Sequence, residues 1–206
     1  MLQPKTRAEM GGPFFKDWRD SIRGVRGWGD GDSVFTNYVA HPMEGAVSGY
    51  IQIHNDPRGR KLEISNTPQY WNSRLRAMGF AALYSTNFEI GVLSEATIGN
   101  VGKKPGTSGW VDFVVTPTGG FGMIVAEDWL DRYVVRRLES RTQSTGKRRF
   151  YRTLFNPQRG FANLMRGKLP WHRDTRPLRD GEYVRRPAPA PQPIPADPAQ
   201  RATSPR

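Results

Sequence analysis

The chain has 206 residues, no cysteine, a formal net charge of +12 and a mean hydropathy of −0.66. That length suffices for one domain that buries a core without staples, and the lack of cysteine excludes disulfide frameworks and thiolate metal centres. The charge is lopsided: residues 1–135 carry 14 basic and 14 acidic side chains, whereas residues 136–206 carry 17 and 5.

The opening MLQPKTRAEM contains no apolar run of the kind that forms a signal-peptide core, so it reads as a short extension, residues 1–12. Phe14, Trp18, Ile22 and Val25 then recur at spacings of four, four and three, the apolar stripe of an amphipathic helix expected to lie on the domain core. Asp30, Asp32 and Ser33 are N-cap residue types for the segment that follows. Within that segment Asn37, His41, Gly45 and Gly49 fall four residues apart and share one helical stripe. The G-x-x-x-G spacing of Gly45 and Gly49 predicts close packing of a partner helix. Pro42 predicts a kink near Tyr38, the residue whose carbonyl loses its amide partner.

Asn55 to Gly59 and Asn66-Thr67-Pro68 read as turns, the second suited to start a helix. From Gln69 a long helix is expected, with Trp71, Leu75, Met78 and Ala82 on an apolar face and Ala77, Ala81 and Ser85 on a second, small-residue track. After Asn87 the branched residues also suit a strand. Residues 99–109 hold four glycines and read as an exposed loop. In the next segment Thr116-Pro117-Thr118-Gly119-Gly120 predicts a bend or break between two helices, with a β-hairpin as the alternative, before an amphipathic helix around Trp129 to Leu138.

The windows 27–57, 77–102 and 105–131 contain no lysine or arginine and are each about as long as a membrane-spanning helix. Glu44, Glu89, Glu95 and Asp112 lie within them, and a carboxylate near the bilayer centre costs roughly 2.5 to 3.5 kcal/mol on insertion scales. The expected fold is therefore a mainly α helical bundle over residues 13–141, packed through small-residue faces and beside or partly within a membrane at most. A basic extension, 142–186, follows. In it Lys147, Arg148 and Arg149 read as a solvated loop that contacts polyanions, Asn156-Pro157 starts a short helix, and Phe161 and Trp171 are expected to dock on the body. Residues 187–206 hold seven prolines, which favours polyproline II and predicts a disordered tail.

The polar residues with a claim to a shared site are His41, Glu95 and Asp112, with Asn37, Ser94 and Ser108 nearby in sequence. A carboxylate that orients an imidazole is the usual general-base arrangement. The same trio also suits a satisfied polar network between glycine-faced helices. No nucleophile elbow, phosphate loop, zinc helix or dinucleotide fingerprint occurs, so no cofactor is expected. A metal site would need more converging ligands than His41 and the Asp30-x-Asp32 pair supply.

Taken together, Asp30-x-Asp32, Asn37-Tyr38-x-x-His41-Pro42-x-x-Gly45, Ser94-Glu95, Ser108, Asp112 and Thr116-Pro117-x-Gly119-Gly120 resemble an uncharacterised bacterial domain of unknown function found in exported cell-envelope proteins. The resemblance covers roughly residues 27–141. It implies a periplasmic or outer-membrane location and no known activity. Members begin with an export signal, so this chain is expected either to lack its natural start or to be cytoplasmic. The leading expectation is an envelope-associated helical protein with a structural or interaction role, its basic tail on anionic lipid. An envelope hydrolase using His41 with Glu95 or Asp112 is the second. Nucleic-acid binding rests on the pI near 10.5 alone and is the weakest. A protein partner fits the first reading, and the sequence fixes no oligomeric state.

Overall fold

Four helices meet at the centre of the protein: α2 (His41–Asn55) packs most extensively on α4 (Val111–Leu130), then on α3 (Pro68–Ile90) and α7 (Pro157–Met165). Helix α1 (Phe14–Gly24) lies against a 3-10 turn at Glu95–Ile98, and α5 (Arg136–Ser140) and α6 (Thr145–Phe155) connect α4 to α7. The computed structural model describes residues 13–98 and 109–178, so the N-terminal extension, nearly all of the glycine-rich loop and the proline-rich tail lie outside the described residues. Among the described residues there is no strand. The bundle is mainly α, and the strand after Asn87 and the hairpin at Pro117 are not formed: α3 continues to Ile90, and α4 is one helix of 20 residues.

The glycine spacing does what it predicts. A β-carbon on Gly49 would lie 2.6 Å from Ile124 Cδ1, and one on Gly120 would lie 2.5 Å from the carbonyl carbon of Gly45. Gly119 in turn passes over the ring of Pro42. The fit of this seam explains why α4 runs through Pro117, since interhelical packing over many residues outweighs the roughly 3 kcal/mol that an interior proline costs. On the α2 side, the turn Thr36–Ala40 is π-helical and continues directly into α2. That widened turn accommodates the amide missing at Pro42 and stands where the kink is expected. Ser33 caps the segment, its hydroxyl accepting from the Thr36 amide at 3.1 Å.

On α3 the inward face differs from the one expected from apolar periodicity, whereas at α1 Trp18, Ile22 and Val25 of the expected stripe are partly buried. Helix α3 buries the small-residue track Ala77, Ala81 and Ser85 together with Tyr70, Ser73, Arg74 and Glu89, while Trp71, Leu75 and Leu83 point outward. Helix α1 buries Asp17 and Ser21 and leaves Phe14 and Phe15 exposed; its Ser21 hydroxyl donates to the Ala96 carbonyl at 3.0 Å. Over the described residues, buried polar and charged side chains outnumber buried hydrophobic ones roughly two to one.

Charges fasten the C-terminal helices to this interior. Asp128 accepts from the Tyr70 hydroxyl at 2.9 Å, from Arg74 Nε at 2.8 Å, and from Arg159. Glu127 accepts from the Gln158 and Arg159 amides at the start of α7. Glu139 pairs with Arg152 and Arg176, and Asp131 with Arg173 at 3.0 Å. The expected solvated loop at Lys147, Arg148 and Arg149 is instead the first turns of α6, capped by Ser144. Lys147 is exposed, Arg148 is buried with its guanidinium on the Thr142 carbonyl, and Arg149 stacks over Trp171. Phe161 does not dock: it is more than half exposed, because α7 turns Ala162 and Asn163 inward.

Candidate functional site

His41 opens α2 just past the π-helical turn, which sets its imidazole in the angle between α2 and the first turn of α4. The ring is mostly buried, and its Nε2 lies 3.6 Å from Asp112 Oδ1 and 4.0 Å from Asp32 Oδ2. On the other side Nδ1 lies 3.7 Å from Glu44 Oε2, one helical turn along. These are ion-pair separations rather than hydrogen bonds, and neither His41 Nε2 nor Asp112 Oδ1 has a hydrogen-bond partner. Asn37, buried on the π-helical turn, donates to Asp30 Oδ1 at 2.8 Å and leaves its own Oδ1 unbonded. Asp30 Oδ1 also accepts from the Asp32 amide at 3.0 Å.

This concentration of acid around one imidazole moves four titrations. The Glu44 carboxylate, then the charges of Asp112 and Glu89, raise His41 to about 9 against the opposing effect of burial. Burial first, then a carboxyl–carboxyl contact with Asp30, raises Asp112 to about 7. Asp30 is partly buried, which favours its neutral form, but the hydrogen bonds it receives from Asp112, Asp32 and Asn37 prevail and hold it below the ordinary range. Glu89, at the buried end of α3, is raised to about 7 by burial and by the neighbouring charges of Glu95, Asp30 and Glu44, against the opposing charge of His41. At neutral pH the site thus holds a protonated imidazolium beside two carboxyl groups that exchange protons near pH 7. That arrangement offers a general acid in His41 and proton acceptors in Asp112 and Glu89.

Of the residues expected to share a site, His41, Asp112 and Asn37 come together. Glu95 stands on its 3-10 turn and acts on the cluster through Glu89, whose carboxyl its charge helps to raise. Ser94 caps that same turn, donating to the Gly91 carbonyl and accepting from the Ala96 amide. Ser108 lies outside the described residues. Gly45 and Gly49 line the seam just below the imidazole. Among the described residues no three His, Asp or Glu side chains are arranged to hold a metal ion. Glu89 and Glu44 are the members that sequence reasoning passed over. The signal for Glu89 was present, because it extends the Ala77, Ala81, Ser85 track by one further step of four.

Compared with family models, with curated proteins and with solved structures, the chain matches none of them.

Proposed function

We propose that this is a membrane-associated helical protein of the bacterial cell envelope, with its outer helix faces in lipid and its polar residues turned inward. The observation that carries this reading is the outward apolar surface of α3 and α4. Large hydrophobic side chains stand exposed along α3 and α4, among them Trp71, Leu75, Leu83 (73% exposed), Phe88, Val114 and Trp129. Trp71 reaches Phe121 across the two helices, with ring centroids 6.4 Å apart, so these faces form one surface. In water such a surface is costly, whereas lipid or a partner accepts it. Residues 77–88 of α3 and 113–126 of α4 carry no charge, and at 1.5 Å per residue they extend about 18 to 21 Å. That falls short of the ~30 Å hydrocarbon core, which suits immersion in one leaflet. No helix of the described residues is long and apolar enough to cross a membrane. The basic C-terminal third supplies charge for anionic head groups.

Flotation with lipid vesicles tests this. The protein should rise with vesicles, more so with anionic lipid and less with added salt. The Leu83→Asp, Phe88→Asp variant should stay at the bottom with an unchanged circular dichroism spectrum. Wild-type protein that remains monomeric at the bottom of the gradient would end the reading.

The His41 cluster favours a second reading, an acid–base enzyme of the envelope acting on a lipid or glycan. His41 Nε2 and Asp112 Oδ1 face each other, buried and unbonded, as a site for a polar substrate group requires. In that role His41 gives a proton to a leaving group, and Glu89 or Asp112 receives one from water. Loss of turnover on model ester substrates in His41→Gln, with the fold intact, would support it.

A further inference from the structure

On the far side of α2 from His41, the C-terminal helices enclose a second polar space. Its wall is drawn from α2, the 3-10 turn Gly59–Lys61 with the loop behind it, and the ends of α4 and α7. The space amounts to about 40 Å³, enough for about three water-sized groups. Six arginines line it: Arg60, Arg74, Arg132, Arg159, Arg166 and Arg173. Four carboxylates face them, Glu63, Asp128, Asp131 and Asp174. Six guanidinium groups against four carboxylates leave an excess of two positive charges. The charged residues just behind the wall, Arg136, Arg152 and Arg176 against Glu127 and Glu139, leave the balance positive.

His54 adds an independent observation. It is buried, lines the same space, stacks on Tyr50 at 5.9 Å, and its Nδ1 has no hydrogen-bond partner. A buried imidazole nitrogen left unbonded in a polar cavity is a position where a ligand oxygen belongs. We infer that this cavity binds the phosphate group of a phosphate monoester, an anion that the positive balance attracts and whose oxygens supply the partner that His54 Nδ1 lacks. The arginines have the geometry for it, since guanidinium groups recognise phosphate through paired donors. Most of the Arg74, Arg159, Arg166 and Arg173 donors are already committed to the fold, on Asp128, Asp131, Asp174, Asn163 and backbone carbonyls, and Arg132 pairs with Glu63. Arg60 is exposed at the rim, where it can close over the ligand.

The empty cavity holds His54 neutral: burial, then the charges of Arg166, Arg159 and Arg173 against that of Asp174, bring it down to about 3. A bound anion among those arginines offsets part of their charge, so binding should raise His54 from that value. Neither this nor the charge count depends on membrane association.

Calorimetric titration of the full chain with inorganic phosphate at pH 7 tests the inference. The expected result is saturable binding, weakened at least about tenfold in both Arg60→Gln and His54→Phe. His54→Phe keeps the stack on Tyr50, and Arg60→Gln alters an exposed side chain, so one reports if the other fails to fold. Vesicles containing phosphatidic acid form the second arm. Their release by millimolar phosphate would identify a lipid head group as the natural source, and their indifference to it would identify a small soluble phosphate. Folded protein that gives no saturable phosphate binding, or binding that neither substitution weakens, would overturn the site.

Discussion

A β-carbon added to Gly45 would lie 2.0 Å from the carbonyl oxygen of Thr116, so α2 and α4 touch backbone to backbone at that point. The obstacle is main chain on both sides and cannot rotate away. Gly45→Ala should therefore separate the helices and destabilise the protein by at least about 1 to 3 kcal/mol. Gly79 provides the contrast, since nothing lies within 4 Å of a β-carbon built there in the middle of α3. Gly79→Ala should stabilise by roughly 0.4 to 1 kcal/mol through its effect on the unfolded chain. Urea denaturation of the two variants should move in opposite directions.

The imidazole of His41 should titrate near 9 by NMR. Glu44→Gln and Asp112→Asn should each bring it down toward its ordinary value, because each removes an acid that favours the charged ring. The consequence for stability has a definite sign. The folded value lies above the unfolded 6.5, so the contribution of His41 is fully present below pH 6.5 and is lost as pH rises through about 9. Asp112 and Glu89 are raised as well, so their contributions are present at low pH and lost as pH rises through about 7. The melting temperature of the wild type should fall between pH 7 and pH 9. A rise across that interval would contradict the cluster.

Asp128 holds Arg74, Arg159 and Tyr70 at one carboxylate, with the side chains of both Asp128 and Arg74 almost wholly buried. Removing the acid leaves a buried guanidinium without its counter-charge, which typically costs about 3 to 5 kcal/mol. Asp128→Ala should thus be among the most damaging single substitutions, and it should also loosen α7, which Arg159 ties to α4. Hydrogen exchange of the α7 amides would show the second effect separately from the first.

Helix positions and the Gly45 and Gly49 seam were legible in the sequence because spacing by four and small size are local properties. The approach of His41 to Asp112 was legible for the same reason, each residue opening a helix that the glycines bring together. What the sequence concealed was direction. Reading Trp71, Leu75, Met78 and Ala82 as the buried face of α3 assumes water outside, and the structure exposes Trp71 and Leu75, leaves Met78 and Ala82 partly buried, and buries Ala77, Ala81 and Ser85. Pro117 reads as a break because its cost is local, whereas the packing that carries α4 through it comes from α2. Arg148 reads as a solvated charge because its acceptor, the Thr142 carbonyl, is a backbone atom that no residue type announces. The arginine-lined cavity was hidden because its wall comes from segments more than a hundred residues apart.

Surface substitutions on the outward faces separate folding from association. Leu83→Asp changes a side chain that is 73% exposed and should alter stability by no more than about 0.5 kcal/mol. If the outward faces of α3 and α4 serve to bind lipid, the same change should still reduce the fraction of protein recovered with vesicles. A large loss of stability instead would mean that Leu83 is packed against something within the protein or a second copy of it.

The central claim, that the apolar exterior lies in lipid, is tested most directly by tryptophan quenching with vesicles of brominated acyl chains. Two single-tryptophan variants suffice. Trp129 is half exposed on α4, whereas Trp18 is partly buried and donates its indole N–H to the Ile90 carbonyl at 3.0 Å. Protein retaining only Trp129 should be quenched strongly, and protein retaining only Trp18 much less. Equal quenching of the two, or none of either while the protein stays monomeric in solution, would contradict the account.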